Sequence, residues 1–127
     1  MNKPQAGQKW HLPDLDRPGT RLKTLIGDYE AEPGTPLLHE MSLHFYRLEA
    51  SEPDLQRPHL EDELYYVLQG QRTLEISTDT ETTSVELKPG DVVYVPKKAR
   101  HRFAGNGTIS LLVFFAPAYT GPEQAKP

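Results

Sequence analysis

A chain of 127 residues with a formal net charge of −4 is long enough for one compact domain and too short for two. It contains no cysteine, which excludes disulfides, thiolate metal sites and cysteine nucleophiles, so any metal must be held by nitrogen and oxygen ligands. Its basic residues are scattered, and no apolar run approaches the roughly 20 residues that cross a bilayer. We therefore expect a cytoplasmic protein that binds neither nucleic acid nor membrane.

The N-terminal segment is rich in proline and poor in apolar residues. This composition predicts an extended N-terminal arm over residues 1–20, with Trp10 and Leu12 as its anchors. An exposed arm of this kind could lie across a neighbouring subunit.

Short runs of β-branched, aromatic and alternating apolar residues follow the arm, separated by turn residues at intervals of about 8 to 12 residues. Proline and glycine recur throughout, and few windows have the apolar spacing of a helix. The predicted strands span residues 21–29, 40–49, 63–69, 71–77, 84–88, 92–95, 101–104 and 109–116. The pattern predicts an all-β sandwich or barrel over residues 21–117, followed by a flexible tail at 118–127.

Two stretches about 40 residues apart combine turn residues with potential metal ligands. The first, PHLEDELYYVLQG, contains His59, Glu63 and Gly70, and the second, PGDVVYVPKKARH, contains Gly90, Pro96 and His101. In order, spacing and separation, these residues resemble the paired motifs of the cupin superfamily. The resemblance covers about residues 40–116 and implies a cupin double-stranded β-helix, which is a jelly-roll barrel. Cupin barrels commonly pair, so it also implies a homodimer.

Two positions depart from the family's pattern. Arg57 stands where the first motif usually has its first histidine, and the stretch PHLEDELYYVLQG looks like a group of small bacterial cupins that also lack it. Lys98 stands where the second motif often has glycine.

The resemblance implies a metal site formed by His59, Glu63 and His101. Two histidines and one carboxylate are the arrangement associated with non-haem iron, and Fe, Mn, Ni or Zn could occupy these ligands. Because side chains alternate along a strand, Tyr65 should point the same way as Glu63, and we regard it as a candidate catalytic residue.

The candidate substrate-binding residues are Arg57, Tyr46 and Phe103. A guanidinium cannot bind a metal, but if Arg57 points inward it could hold a substrate carboxylate or phosphate in a forked contact. If it points outward, it is a solvated loop residue, and the sequence leaves both orientations open.

A fourth protein ligand is also left open, with Gln56, His44 and Asp62 as the possible donors. In the strand at 40–49, alternation separates His44 and Tyr46 from Phe45, and either face could be the inner one.

We expect a metal-dependent enzyme that acts on a small molecule, either as a dioxygenase or as a redox-neutral isomerase or lyase. The alternative is a non-catalytic barrel that binds a sugar or another metabolite, with a structural metal or none.

Overall fold

The computed structural model describes residues 3–12, 15–54 and 56–121. Within these ranges the chain forms eight strands and no helix, and hence no helix that could span a membrane. The strands are β1 (Leu22–Ile26), β2 (Ser42–Leu48), β3 (Asp62–Gly70), β4 (Arg72–Ser77), β5 (Thr82–Leu87), β6 (Val92–Val95), β7 (Arg100–Ala104) and β8 (Ile109–Ala116). Each overlaps a strand that the sequence predicts, so the all-β prediction is confirmed.

The strands form two sheets whose pairs are all antiparallel. The larger sheet has the order β1-β2-β8-β3-β6 and the smaller one the order β5-β4-β7. Because β3 and β7 are in different sheets, residues far apart in sequence can face each other across the interior. This is the jelly-roll arrangement expected from the resemblance.

Alternation along β3 determines which side chains enter the interior. Glu63, Tyr65 and Val67 are buried, whereas Leu64 and Tyr66 on the opposite face are exposed. The apolar core between the sheets is built in the same way from Leu48, Tyr65, Val67, Leu74, Ile76, Leu87, Val95, Ala99, Phe103, Ile109, Leu111, Val113, Phe115 and Tyr119. A polar Glu63 therefore lies in a row of core positions.

Both faces of β2 carry buried side chains, which explains why alternation could not identify its inner face. His44 is 1% exposed and Phe45 on the opposite face is fully buried. Leu48, on the same face as His44, belongs to the core between the sheets. The face that carries His44 is therefore the inner one.

Two left-handed backbone positions hold the turns of the motifs. Gly70 has φ +85°, and a Cβ at this position would lie 1.8 Å from the carbonyl oxygen of Thr108, so only glycine fits. Lys98 has φ +67°, a conformation that costs about 1 kcal/mol for a residue with a side chain. The Lys98 N–H donates to the carbonyl oxygen of His59 at 2.6 Å, which joins the second motif's turn to the loop that carries the first histidine.

The predicted arm and tail lie partly outside the described residues, namely at positions 1, 2, 13, 14 and 122–127. The described part of the arm has no strand or helix, and Asp16 pairs with Arg47 of β2 at 2.9 Å. That the arm crosses a second subunit stays a prediction. Tyr119 is only 8% exposed and stacks on Phe115, so the packed chain extends at least two residues beyond the predicted boundary at 117.

Candidate metal centre

Three side chains from different parts of the fold converge in the interior. Glu63 lies on β3 in the larger sheet, His101 lies on β7 in the smaller sheet, and His59 lies in the loop just before β3. Glu63 Oε1 is 3.5 Å from His101 Nε2 and 3.9 Å from His59 Nε2. One potential ligand atom from each residue lies within 4.8 Å of the others, and all three residues are buried. The structure thus brings together the three residues that the motifs indicate.

Burial removes charge from all three groups in the metal-free protein. It raises the pKa of the Glu63 carboxyl to about 8, and the nearby Tyr65 hydroxyl, which donates its hydrogen bond to Gln56 Oε1, opposes this increase only partly. Burial together with the neighbouring His101 lowers the pKa of His59 to about 3, and burial lowers the pKa of His101 as well. A divalent cation would favour the ionised carboxylate and the neutral imidazoles, which are the forms that bind metals.

The hydrogen bonds around the site leave electron pairs available to a cation. Both oxygens of Glu63 are buried without a hydrogen-bond partner. His101 Nδ1 lies 3.2 Å from the carbonyl oxygen of Ala99, which can only accept, so Nδ1 carries the proton. Nε2 of the neutral ring then offers a lone pair to the interior. Unpartnered oxygens and this imidazole nitrogen fit a divalent metal.

Gln56 contributes a further oxygen to the same place. Its Oε1 is 3.5 Å from His59 Nε2 and 3.4 Å from His101 Nε2. The hydroxyl of Tyr65 donates to this oxygen at 3.3 Å, and the amide nitrogen donates to Asp54 Oδ2 at 2.9 Å.

The other two candidates for a fourth ligand are engaged elsewhere. Asp62 Oδ1 accepts hydrogen bonds from the Tyr94 hydroxyl and the Lys97 N–H, both on the outside of the barrel. His44 is buried, but Ser42 Oγ lies 2.8 Å from its Nε2 and Thr24 Oγ1 lies 3.1 Å from its Nδ1.

The protons in this network also determine the state of His44. Thr24 Oγ1 donates to the carbonyl oxygen of Tyr29, so it can only accept from His44 Nδ1. Nε2 then accepts from Ser42, and neither ring nitrogen of His44 has a free lone pair for a metal.

A cavity of about 320 Å³ opens beside His59. Its apolar wall includes Tyr29, Val113, Phe115 and Tyr119. The His59 ring meets those of Phe115 and Tyr119 edge-on, with centroids 5.1 and 5.2 Å apart. Tyr119 is a site residue that the sequence analysis missed, and its only signal was an aromatic side chain shortly after the last strand.

Two of the three predicted substrate-binding residues line this cavity. Tyr46 is half-buried, and its hydroxyl donates to Asp54 Oδ1 at 3.3 Å. Arg57 is exposed and borders both this cavity and a second one of about 370 Å³ that reaches His101.

Phe103 lies in the core and is not among the residues that line either cavity. Its ring packs on that of Tyr65 with centroids 5.1 Å apart. Tyr65 is itself 1% exposed, so its ring belongs to the core and its hydroxyl reaches the site at Gln56.

Comparisons with known proteins agree with this fold. A family model described as a cupin domain matches residues 44–115. An uncharacterised protein of Streptomyces coelicolor is 35% identical over 102 residues, which cover 76% of this chain and 93% of that protein.

Solved structures similar to this chain include proteins with different described roles. The DMSP lyase DddQ from Ruegeria pomeroyi superposes with a TM-score of 0.60 at 22% identity, over 76% of this chain and 47% of the lyase. A cupin-like protein from Thermotoga maritima gives 0.58 at 18% identity, over 80% and 71% of the two chains. An RmlC-like cupin with a double-stranded β-helix from Methanocaldococcus jannaschii gives 0.54 at 20% identity, over 68% and 76%. This chain spans less than half of the lyase, and identities this low show the fold alone.

His44 should make the stability of the metal-free protein depend on pH. Burial lowers its pKa from 6.5 to about 4, so the unfolded chain takes up the proton first as the pH falls. The stability that neutral His44 contributes is therefore fully present above pH 6.5 and is lost as the pH falls toward about 4. Compared with His44→Gln, the wild type should lose up to about 1.4 kcal/mol more per pH unit in this window.

Urea unfolding of the chelator-treated proteins at several pH values measures this difference. His39→Gln, at an exposed position, is the matched control and should follow the wild type. Parallel stability curves for wild type and His44→Gln would contradict the assignment.

Proposed function

Because the chain belongs to the cupin family, we propose that it is a divalent-metal-dependent enzyme that acts on a small anionic molecule by redox-neutral proton transfer, as an isomerase or a lyase. The observation that carries the proposal is the convergence of His59, Glu63 and His101 in a buried site where both carboxylate oxygens lack a hydrogen-bond partner. Fe, Mn, Ni or Zn all accept this donor set. When bound, the ion would polarise a substrate carbonyl or enol oxygen as a Lewis acid.

The cavity beside His59 suits a small substrate with an apolar body. Its volume of about 320 Å³ is at the lower end of the range for ligand pockets, and its wall is largely aromatic and aliphatic. In this proposal Arg57 at the border binds a carboxylate or phosphate of the substrate, and Tyr46 contributes its ring to the wall. The apolar wall would exclude water from the reacting atoms.

Tyr65 is the proposed proton donor. Burial, followed by the charge of Glu63, raises the pKa of its hydroxyl well above the usual value, so it keeps its proton at neutral pH. Its hydroxyl lies next to Gln56 Oε1, which itself faces both histidines. The Tyr65 hydroxyl is therefore separated from the two histidine ligands only by the Gln56 side chain, and it holds a proton close to the proposed metal.

We expect His59→Ala and His101→Ala each to lose most of the bound metal while the barrel stays folded. Each substitution removes one of three protein donors from the site and leaves the apolar core unchanged. Metal content after purification without added ions, with circular dichroism as the folding check, measures the effect. His39→Ala is the matched control, because this histidine is exposed. Full metal content in both site variants would refute the ligand assignment.

Tyr65→Phe should lower turnover by about 10²- to 10⁴-fold and leave the metal content unchanged, because only the proton donor is removed. The assay is NMR detection of deuterium uptake from D₂O, or of elimination, for small carboxylic acids with an acidic C–H. Dioxygen consumption by the Fe(II) form would identify the protein as a dioxygenase and contradict redox-neutral chemistry. Thermal stabilisation by ligands with no product would identify a binding protein.

We also propose that the outer face of β3 and β6 pairs with a second copy of the chain. Leu64 lies opposite Tyr94 and Tyr66 opposite Val92, and these four side chains are 39–62% exposed. Strand β6 is at the edge of the larger sheet, so this apolar patch continues to the sheet edge. An apolar patch of this kind on one copy is complementary to the same patch on another, as a twofold interface requires.

Val92→Lys should therefore weaken dimerisation, because the side chain at this position is the most exposed of the four in the proposed contact, at 62%, and a lysine there would place a charge in an apolar interface. Sedimentation velocity over a concentration series should show at least a tenfold weaker association. Thr83→Lys, at an exposed position of β5 in the other sheet, is the control. A monomeric wild type, or equal association of both variants, would contradict this interface. The cytoplasmic location stays a prediction that fractionation of expressing cells would test.

A further inference from the structure

We infer that Gln56, which lies outside both sequence motifs, is a fourth protein donor to the metal and takes the place of the missing first histidine. The inference rests on the proposed metal site of His59, Glu63 and His101. It assigns a coordinating role to an amide oxygen and a positioning role to Asp54.

The orientation of the Gln56 amide follows from its partners. The amide nitrogen lies 2.9 Å from Asp54 Oδ2, and a carboxylate oxygen can only accept a hydrogen bond. The amino group of the amide must therefore face Asp54. Oε1 then faces the opposite way, toward the two histidines, and accepts a hydrogen bond from the Tyr65 hydroxyl.

Without a cation, this orientation places acceptors against acceptors. His101 donates its Nδ1 proton to Ala99, so its Nε2 holds a lone pair 3.4 Å from Gln56 Oε1. No proton is available between His101 and Gln56, and two facing lone pairs repel each other. A cation between these atoms converts the repulsion into attraction.

The spacing of the four donor atoms fits a metal site. Gln56 Oε1 is 3.5 and 3.4 Å from the two histidine nitrogens, and Glu63 Oε1 is 3.9 and 3.5 Å from them. Ligands bonded at about 2.1 Å are about 3.0 Å apart in an octahedral site and about 3.4 Å apart in a tetrahedral one. The observed separations lie at or slightly above this range, as expected for donors that a metal would draw together.

Asp54 holds the segment that carries Gln56 in place. Besides the Gln56 amide, it accepts the Phe103 N–H of β7 at 2.8 Å and the Tyr46 hydroxyl of β2 at 3.3 Å. One carboxylate thus connects the loop between β2 and β3 to both sheets. This connection fixes the position of a donor that lies on a loop and not on a strand.

Arg57 occupies the motif position but cannot coordinate a metal, and it is exposed at the border of two cavities. Gln56, one residue earlier, points inward. The resulting donor set has two imidazole nitrogens and two oxygens. Compared with three imidazoles and a carboxylate, it has more oxygen donors, which favour metal ions such as Mn²⁺.

The test is a Mn²⁺ titration of the full-length, chelator-stripped protein. Gln56→Leu removes the oxygen and should weaken binding by about 10- to 100-fold, whereas the double variant Gln56→Glu/Asp54→Asn retains an oxygen donor without placing two carboxylates against each other and should keep the wild-type affinity. Gln69→Leu, at an exposed position of β3, is the matched control. Asp54→Asn alone should give an intermediate loss that the double variant does not show, because it weakens the hydrogen bonds that orient Gln56 and connect its loop to the two sheets.

A spectroscopic count separates coordination from simple packing. In the Cu²⁺-loaded Gln56→His variant, pulsed EPR should detect three coordinated imidazoles in place of the two in the wild type. Wild-type affinity in a folded Gln56→Leu variant, or two imidazoles in Gln56→His, would overturn the inference and leave the three-residue site intact. Failure of the wild type to bind any divalent metal would overturn the proposed function and the inference with it. If Gln56→Leu does not fold, the imidazole count decides.

Discussion

Glu63 lies between the two sheets at 2% exposure, with neither carboxylate oxygen hydrogen-bonded. Leaving an ionised carboxylate in such a place costs several kcal/mol unless a positive charge compensates for it. Burial accordingly raises the pKa of Glu63 to about 8, and the metal-free protein avoids the cost by keeping the proton. A cation held between Glu63 and the two histidines compensates for the same cost and allows the Glu63 carboxyl to ionise. The arrangement of the surrounding side chains follows from this one requirement.

The fold satisfies the requirement by combining two sheets. Alternation on β3 turns Glu63 inward at a position where it is paired with Val95 of β6 and Phe115 of β8, so it is fixed between two neighbouring strands of the larger sheet. His101 approaches from β7 of the smaller sheet, and the Lys98 hydrogen bond holds the loop of His59 beside it. Strand pairing thus sets the geometry of the donors. The loop before β3 adds the side chains of Gln56, Arg57 and His59, which line the cavity.

The strands and the three motif ligands could be predicted because each has a short-range signal. Period-two alternation and the turn residues locate the strands, and the motif spacing selects Glu63 over its acidic neighbour Asp62, which the structure places outside. Gln56 was one of three open candidates, because a loop has no periodicity that gives the direction of a side chain. Its distance from Asp54 and from the histidines was needed to distinguish it. Tyr119 was missed for a related reason, since an aromatic residue beyond the last strand gives no sign that it folds back onto Phe115.

A crystal structure of the protein soaked with Mn²⁺ or Zn²⁺, with anomalous scattering recorded at the metal edge, tests the central claim most directly. If the three side chains form a metal site, a single strong anomalous peak should lie about 2.0–2.3 Å from His59 Nε2, His101 Nε2 and a Glu63 oxygen. Ligand side chains that point to solvent, or an interior without a peak at saturating metal, would contradict it.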